Sequence, residues 1–349
     1  MPRLPQVRPN VSQMAPYVPG EQPKPGEKVI KLNTNENPFP PSPAVLAAIH
    51  NIDGEQLRRY PSPRADTFRA AAAAVHGVSA DMILAGNGSD EILAIAMRTF
   101  LGPGEALAYP DPTYSLYPVL AESCENRVVT VPWEPGWELP VDALIATSAR
   151  AIFFANPNAP TGTLVRRSRV RELALAFDGL VLVDEAYVDF ADESCLPLVR
   201  ELPNIMICRT FSKGYSLAGL RFGYAIAAPA LVAEMTKVKD SYNCDAISIL
   251  AATAALADQD YARGTWQAVR AERTRLGGEL GKRGWDVIPS QTNFLLARCP
   301  GGKAAEIYRA LKSQGILVRY FDKPGLADKL RITVGTAEQN DALLRALPG

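Results

Sequence analysis

The sequence predicts an α/β protein built on a mainly parallel sheet, with a smaller α+β unit towards its C-terminal end. Three observations predict this. Short apolar runs alternate with helical patterns from about residue 80 to residue 229. Those runs, such as "AIFF", "LVLV" and "NIMIC", are continuously hydrophobic, the mark of strands buried on both faces between layers of helices. Past residue 245 the texture changes to a long helical stretch and then strand–strand–helix–strand–strand–helix.

The elements follow in order. Residues 1–43 hold 11 of the 29 prolines. Proline fixes φ and lacks a donor, so this segment is expected as an extended N-terminal arm ending in the polar loop "KLNTNENPFPPSP". An arm of that length either stays loose or docks on a surface, and a partner subunit is one candidate. Residues 44–258 are expected to form a large domain. It begins with helices over "PAVLAAIHNI" and "RADTFRAAAAAVHG", the second stopped by Gly77. A strand "MILA" leads to the helix "GNGSDEILAIAMRTFLG", with Ser89 and Asp90 where an N-cap belongs. The strand "EALAYP" precedes the helix "TYSLYPVLAESC", and "AIFFANP" precedes "RRSRVRELALAF". The strands "LVLVDEAY", "NIMICRTF" and "RFGYAIAAP" close the series. Residues 259–349 are expected as the small domain, joined by a helix near 259–284 and with part of the N-terminal region packed on it. Its pieces are "WDVI", "NFLLA", "AAEIYRALKSQG", "ILVRY", "LRITVG" and "EQNDALLRAL".

Composition narrows the function. A chain of 349 residues is long for a single core. It is 47% hydrophobic and 21% charged, as globular proteins are. Its 37 basic and 37 acidic residues cancel without a basic stripe, which sets aside nucleic acid and anionic membranes as main partners. Any anion must be held by a few local groups. The opening "MPRLPQVRPN" lacks the apolar core of a signal peptide, and no apolar run is long enough to span a bilayer. Five dispersed cysteines without a CxxC pair read as reduced thiols in a cytoplasmic compartment. His50 and His76, the two histidines, sit in helical contexts and cannot supply a typical zinc site, so no metal is expected.

Four segments carry chemistry. The strand "LVLV" ends in Asp184, Glu185 and Tyr187, at the carboxyl end where open parallel sheets meet ligands. "ANPNAPTGT" puts neutral hydrogen-bonding groups at another strand end. "GNGSDE" opens a helix with glycines, a ready phosphate site that is neither a P-loop nor a dinucleotide fingerprint. "TFSKGYSLAGLRFGY" joins two strands and holds Ser212, Lys213 and Arg221. Each alone has an ordinary structural reading. One ligand accounts for all four: a phosphate for the helix start, Ser212 and Arg221, a ring nitrogen for Asp184, a phenolic oxygen for Tyr187 and an asparagine, and an aldehyde for Lys213. That ligand is pyridoxal 5′-phosphate, whose chemistry needs an acid beside its nitrogen and a lysine amine that can be neutral.

The segments "NPNAPTG", "DEAYVDF", "TFSKGYSLAGLRFGY" and "LRITVGT" resemble the fold-type-I pyridoxal-phosphate aminotransferases, most of all the histidinol-phosphate group, and the resemblance runs from "LNTNENP" to "EQNDALLRAL". It implies a seven-stranded, mainly parallel sheet flanked by helices. It implies that Lys213 joins the cofactor aldehyde and shuttles the proton between Cα and C4′. Asp184 then pairs with the ring nitrogen, Tyr187 contacts the phenolic oxygen, and Tyr114 stacks on the ring. Ser89, Asp90, Ser212 and Arg221 hold the phosphate, joined by Tyr60 from a neighbouring subunit. Arg331 and Arg319 match arginines for the substrate anion, Tyr17 matches a tyrosine of the arm, and Asn35 lies in the adjoining substrate loop. A homodimer is implied, with Tyr60 and the arm crossing the interface. Where many relatives carry asparagine directly before "PTG", this chain has Ala159, so Asn158 is expected to serve instead or Tyr187 to act with less help.

The substrates implied are a small amino donor and the 2-oxoglutarate/glutamate pair. One bidentate arginine can read the phosphate of histidinol phosphate or the carboxylate of glutamate. A pocket bordered by Tyr17 and Tyr114 suits an imidazole but also phenylalanine or tyrosine. An aromatic aminotransferase, an O-phosphothreonine decarboxylase and a non-catalytic pyridoxal-phosphate sensor therefore stay open as alternatives.

Overall fold

The computed structural model describes residues 4–134 and 136–347. In chain order its strands are β1 (Ile30–Lys31), β2 (Ile83–Gly86), β3 (Ala106–Asp111), β4 (Arg127–Pro132), β5 (Ala151–Ala155), β6 (Leu180–Asp184), β7 (Ile205–Thr210), β8 (Gly223–Ala227), β9 (Asp286–Val287), β10 (Phe294–Arg298), β11 (Ile316–Leu317), β12 (Arg319–Tyr320) and β13 (Lys329–Thr333). Seven of them form the main sheet in the order β2-β8-β7-β6-β5-β3-β4. All neighbours are parallel except β8, which runs against both β2 and β7.

The continuous apolar runs are doubly buried strands. Along β5, Ile152 and Phe154 enter one hydrophobic layer while Ala151 and Phe153 enter the other. β6 and β7 split the same way, Val181, Val183, Ile205 and Ile207 against Leu180, Leu182, Met206 and Cys208. A fully buried Phe, Leu or Ile contributes about 1.5–3 kcal/mol, so the two layers fix where the strand ends lie. β4 has no counterpart among the strand segments read from the sequence. As the edge strand it is mostly exposed, so its residues lack the continuous apolar signature of its neighbours.

The helix expected after "MILA" spans Gly88–Phe100, but its N-cap is Asn87, whose side chain makes no capping bond. Ser89 and Asp90 are not the cap; they lie inside the first turn. Gly88, at φ 81°, makes the tight entry possible and leaves the first N–H groups of the helix pointing outward.

The helix Gln259–Lys282 leads to an antiparallel sheet in the order β12-β13-β10-β9, covered by the helices Ala304–Ser313 and Ala337–Ala346 around a third core. The run "ILVRY" is two strands: β11 pairs in parallel with β1 from the N-terminal segment, and β12 pairs with β13. Residues 30–31 thus form a separate two-stranded sheet with β11.

Within this single chain the arm packs along the end of the helix Leu116–Ser123. Arg8 donates to the Glu125 carboxylate and to the Ser123 carbonyl, and Asn10 donates to the Glu122 carbonyl. Those carbonyls end the helix Leu116–Ser123, where unpaired acceptors and the negative end of the helix dipole favour a cation. Further along, Glu21 pairs with Lys312.

Candidate active site

The site forms where β5, β6 and β7 end. Asp184 is the last residue of the central strand of this trio, level with Ala155 and Cys208. That register buries its carboxyl. Oδ1 accepts the Ala186 N–H at 3.1 Å and Oδ2 accepts the Tyr117 hydroxyl at 3.2 Å. No cation pairs with it among the described residues. Burial, reinforced by the Asp90 and Glu185 charges, pushes its pKa up to about 7. A positive ring nitrogen would supply the missing charge.

Lys213 follows β7 in the turn Phe211–Gly214. Its Nζ donates to the Thr34 carbonyl at 2.9 Å and lies 5.6 Å from the centre of the Tyr187 ring. The amine faces the cleft but is ringed by protein, and burial lowers its pKa to about 8. Among the charges around it Arg331 lowers it most, Glu36 opposes, and Arg221 contributes least. Arg331, brought in by the C-terminal sheet, thus outweighs Arg221, which follows Lys213 in the same segment.

The candidate phosphate cradle sits at the open start of Gly88–Phe100. Arg221, itself at φ 51°, donates from Nη1 to Ser212 Oγ at 3.0 Å and from Nη2 to Asp90 Oδ2 at 3.2 Å. Asp90 Oδ1 accepts the Tyr114 hydroxyl at 3.1 Å. The Asp90 carboxylate therefore braces Arg221 and Tyr114, and only its backbone N–H is available to an anion. A Cβ on Gly223 would lie 2.5 Å from the Ser89 nitrogen, and one on Gly88 2.8 Å from Arg221 Nη2. Glycine at both positions keeps the cradle open.

The anion subsite comes from the other sheet. Arg331, on β13, donates from Nη2 to the Asn33 carbonyl at 3.0 Å. Its Nε is buried without a partner, and no carboxylate pairs with it among the described residues. The guanidinium lies 5.2 Å from the Phe294 ring centre and 5.4 Å from that of Phe321. A half-buried guanidinium without a counter-ion is unfavourable, and an arriving anion offsets that cost. Arg319 stands directly opposite Arg331 across the β12–β13 pair. It lies 5.3 Å from the Phe321 ring and donates to the Pro19 and Val18 carbonyls at 3.2 and 3.3 Å. Those bonds bring the arm over the cleft, where the Tyr17 ring meets Tyr114 edge-on at 6.2 Å.

Two expected residues are placed elsewhere. Asn158 is wholly buried and its amide is spent on its own turn: Nδ2 donates to the Pro112 carbonyl and Thr161 Oγ1, and Oδ1 accepts from Thr113. It has no donor left for a phenolic oxygen. Tyr60 is 80% exposed and stacks on Tyr242, away from the cradle of its own chain. Asn35 is in the site, bonded to Tyr187 rather than open to the cleft. Sequence reasoning missed Tyr117, Phe321, Asn293 and Thr333. The spacing of Tyr114 and Tyr117, three residues apart around the start of the helix Leu116–Ser123, was a usable signal. The other three reach the site only because two sheets meet there.

The sequence pattern of the aminotransferase class I and II family matches residues 27–347. The chain is 52% identical over 340 residues to histidinol-phosphate aminotransferase 1 of Trichormus variabilis, covering 97% of each chain. It is 48% identical to the histidinol-phosphate aminotransferase of Rhodopirellula baltica, covering 97% of this chain and 94% of the other. Among solved structures, it is similar to the histidinol-phosphate aminotransferase of Sinorhizobium meliloti in complex with pyridoxal-5′-phosphate. The TM-score is 0.90 and the identity 30%, over 99% of this chain and 97% of that one.

Proposed function

The chain belongs to the class I and II aminotransferase family, and from that premise we propose that it exchanges the amino group of L-histidinol phosphate with 2-oxoglutarate. The products are imidazole acetol phosphate and glutamate, and the role is in histidine biosynthesis. The observation that carries the reading is the half-buried guanidinium of Arg331, its Nε without a partner, with no counter-ion among the described residues and faced by Arg319. Two guanidinium groups suit a dianionic phosphate monoester on one substrate and a carboxylate on the other. Relatives of 48–52% identity over nearly the whole chain carry the histidinol-phosphate name, so the aromatic aminotransferase, decarboxylase and sensor alternatives are not favoured.

The residues fit pyridoxal 5′-phosphate as cofactor. Uncapped N–H groups beside Arg221 and Ser212 suit its phosphate, and the cationless buried carboxyl of Asp184 suits its ring nitrogen. When bound, the cofactor supplies an aldehyde for the amine and a ring that takes up electrons from the substrate carbon. Lys213 is the residue that would hold the cofactor aldehyde and take the proton from the substrate Cα; the depressed pKa of about 8 keeps part of its amine neutral near pH 7. Asp184 would hold a proton on the ring nitrogen, and Tyr187 would donate to the phenolic oxygen. Tyr114 borders the ring, with Asp90 bracing both it and Arg221. Arg331 orients the substrate anion, and Tyr17 with the arm excludes water.

The homodimer remains part of the proposal. Tyr60, exposed and stacked on Tyr242, is the residue offered to the phosphate of a second copy. No helix among the described residues is long and apolar enough to cross a membrane, and a cytoplasmic location is proposed from the reduced-thiol composition.

The deciding experiment compares kcat/KM for histidinol phosphate, phenylalanine and tyrosine with 2-oxoglutarate as acceptor. The expected result is a preference of at least about 100-fold for histidinol phosphate, the discrimination available when a paired charge is lost. Equal or better use of the aromatic amino acids would overturn the substrate assignment.

A further inference from the structure

Asn35 is 1% exposed and sits at φ 59°, a left-handed conformation that asparagine tolerates better than other side chains. Four bonds hold it. Its N–H donates to Thr333 Oγ1 at 3.0 Å, so the threonine proton is free to turn to Asn35 Oδ1, which it meets at 3.0 Å. Its carbonyl accepts from Asn293 Nδ2 at 2.9 Å. With Oδ1 committed to Thr333, Nδ2 faces the other way and donates to the Tyr187 hydroxyl at 2.9 Å. The two faces of the amide are therefore set by the network, not by choice of rotamer.

A phenol has one proton. A hydroxyl that accepts from Asn35 Nδ2 cannot donate back to it, so the Tyr187 proton is directed elsewhere. Asn158 offers nothing to Tyr187, because its amide is consumed within its own turn. Ala159 packs its methyl against Tyr187 and Phe294 and brings no polar atom.

We propose that Asn35 is a positioning residue that aims the Tyr187 hydroxyl proton at the cofactor's phenolic oxygen, in place of the asparagine absent at position 159. This rests on the pyridoxal-phosphate reading above. It departs from the direct substrate contact expected of Asn35 from its loop. It also means that the direction of a proton in the large domain is set by Thr333 and Asn293 of the C-terminal unit.

The test is a pH titration of the visible absorption of the lysine-bound cofactor, without substrate, in the full-length protein. A hydroxyl donated to the phenolic oxygen favours the form in which the adjacent nitrogen has lost its proton. Weakening that bond raises the titration midpoint. Asn35→Gly keeps the backbone conformation and removes the amide, and is expected to raise the midpoint by roughly half a pH unit, with Tyr187→Phe raising it further. In the double variant Asn35→Gly should add nothing to Tyr187→Phe, because the one acts through the other. A wild-type midpoint in Asn35→Gly, or an equal shift with and without Tyr187, overturns the proposal. So does a change confined to the KM of either substrate, which marks a direct substrate contact. If Asn35→Gly does not fold, Asn35→Asp is read in the same cycle, where only the part lost with Tyr187→Phe counts. A wild-type protein that takes up no chromophore removes the cofactor reading and this proposal together; one that does, with variants unmoved, removes only the proposal.

Discussion

At the scale of single residues the site is a set of charges held away from their ordinary states. Lys213 is the first. With a pKa of about 8 in the folded chain against an ordinary 10.5, the folded form holds fewer protons than the unfolded one between those values. Stability from this group is therefore lowest below pH 8 and recovers as pH rises towards 10.5. The same depression should make the attachment of pyridoxal phosphate to the cofactor-free chain speed up about tenfold per pH unit and level off near pH 8, as followed by stopped-flow absorbance. In Arg331→Leu the levelling should move to higher pH, since Arg331 is the largest charge acting on the amine; an unmoved profile would show that burial alone sets it. Asp184 has the opposite sign. Its pKa of about 7 exceeds the ordinary 3.8, so the cofactor-free chain loses stability as pH rises from about 4 to 7. The loss is at most about 4 kcal/mol at the conversion of 1.36 kcal/mol per pH unit. A cation against Asp184 cancels it, so the gain in Tm on adding cofactor should grow across that window. Asp189, buried beside Gly214 and also pushed to about 7, titrates in the same range. The Asp184→Asn variant separates the two: its cofactor-free Tm at pH 8 should equal or exceed that of wild type while turnover falls by several orders of magnitude.

At the scale of elements, two helix ends do opposite work. The start of Gly88–Phe100 is left without a side-chain cap and is the candidate anion site, while the end of Leu116–Ser123 is closed by Arg8 and Asn10. The first end makes a steric demand on β8. In Gly223→Ala the new methyl would collide with the Ser89 nitrogen, and the affinity for pyridoxal phosphate, read by chromophore titration, is expected to fall at least about tenfold with the fold retained. The second end latches the arm. Arg8 and Glu125 are both largely exposed, so the latch is worth about 1 kcal/mol or less and weakens with salt. Removing it in Arg8→Ala/Asn10→Ala should raise KM for both substrates a few-fold and leave kcat nearly unchanged; a fall in kcat alone would place the arm's role outside substrate capture. The apolar runs of β5, β6 and β7 made those strands legible in the sequence because both faces are buried. β4 was not, because an edge strand need not be apolar. Ser89 and Asp90 looked like caps because their types suit one, yet the helix already starts at Gly88 with Asn87 at the N-cap.

At the scale of the whole molecule, residues 33–37 strap the two units together. Arg331 is held by the Asn33 carbonyl, Lys213 by the Thr34 carbonyl, Tyr187 by Asn35, and the Gly214 carbonyl accepts from Asn37. The site is thus assembled from three stretches that meet in one loop. A second copy is expected to complete it: dilution that separates the homodimer should lower activity and cofactor affinity together, and Tyr60→Phe should weaken cofactor binding in the dimer while leaving the fold of each subunit unchanged. A fully active, cofactor-saturated monomer at high dilution would overturn this. The sequence by itself determined the α/β class, the buried inner strands and the candidate lysine, acid and tyrosine. These sit at strand ends and turns, where local residue types dictate local geometry. Tertiary structure alone decided that Arg331, not Arg221, acts most strongly on Lys213, that Asn158 is spent within its turn, and that Asn35 takes hold of Tyr187. Electrostatic and hydrogen-bond partners depend on distance in space, and the residues concerned lie more than a hundred positions apart along the chain or face one way only after the turn has formed.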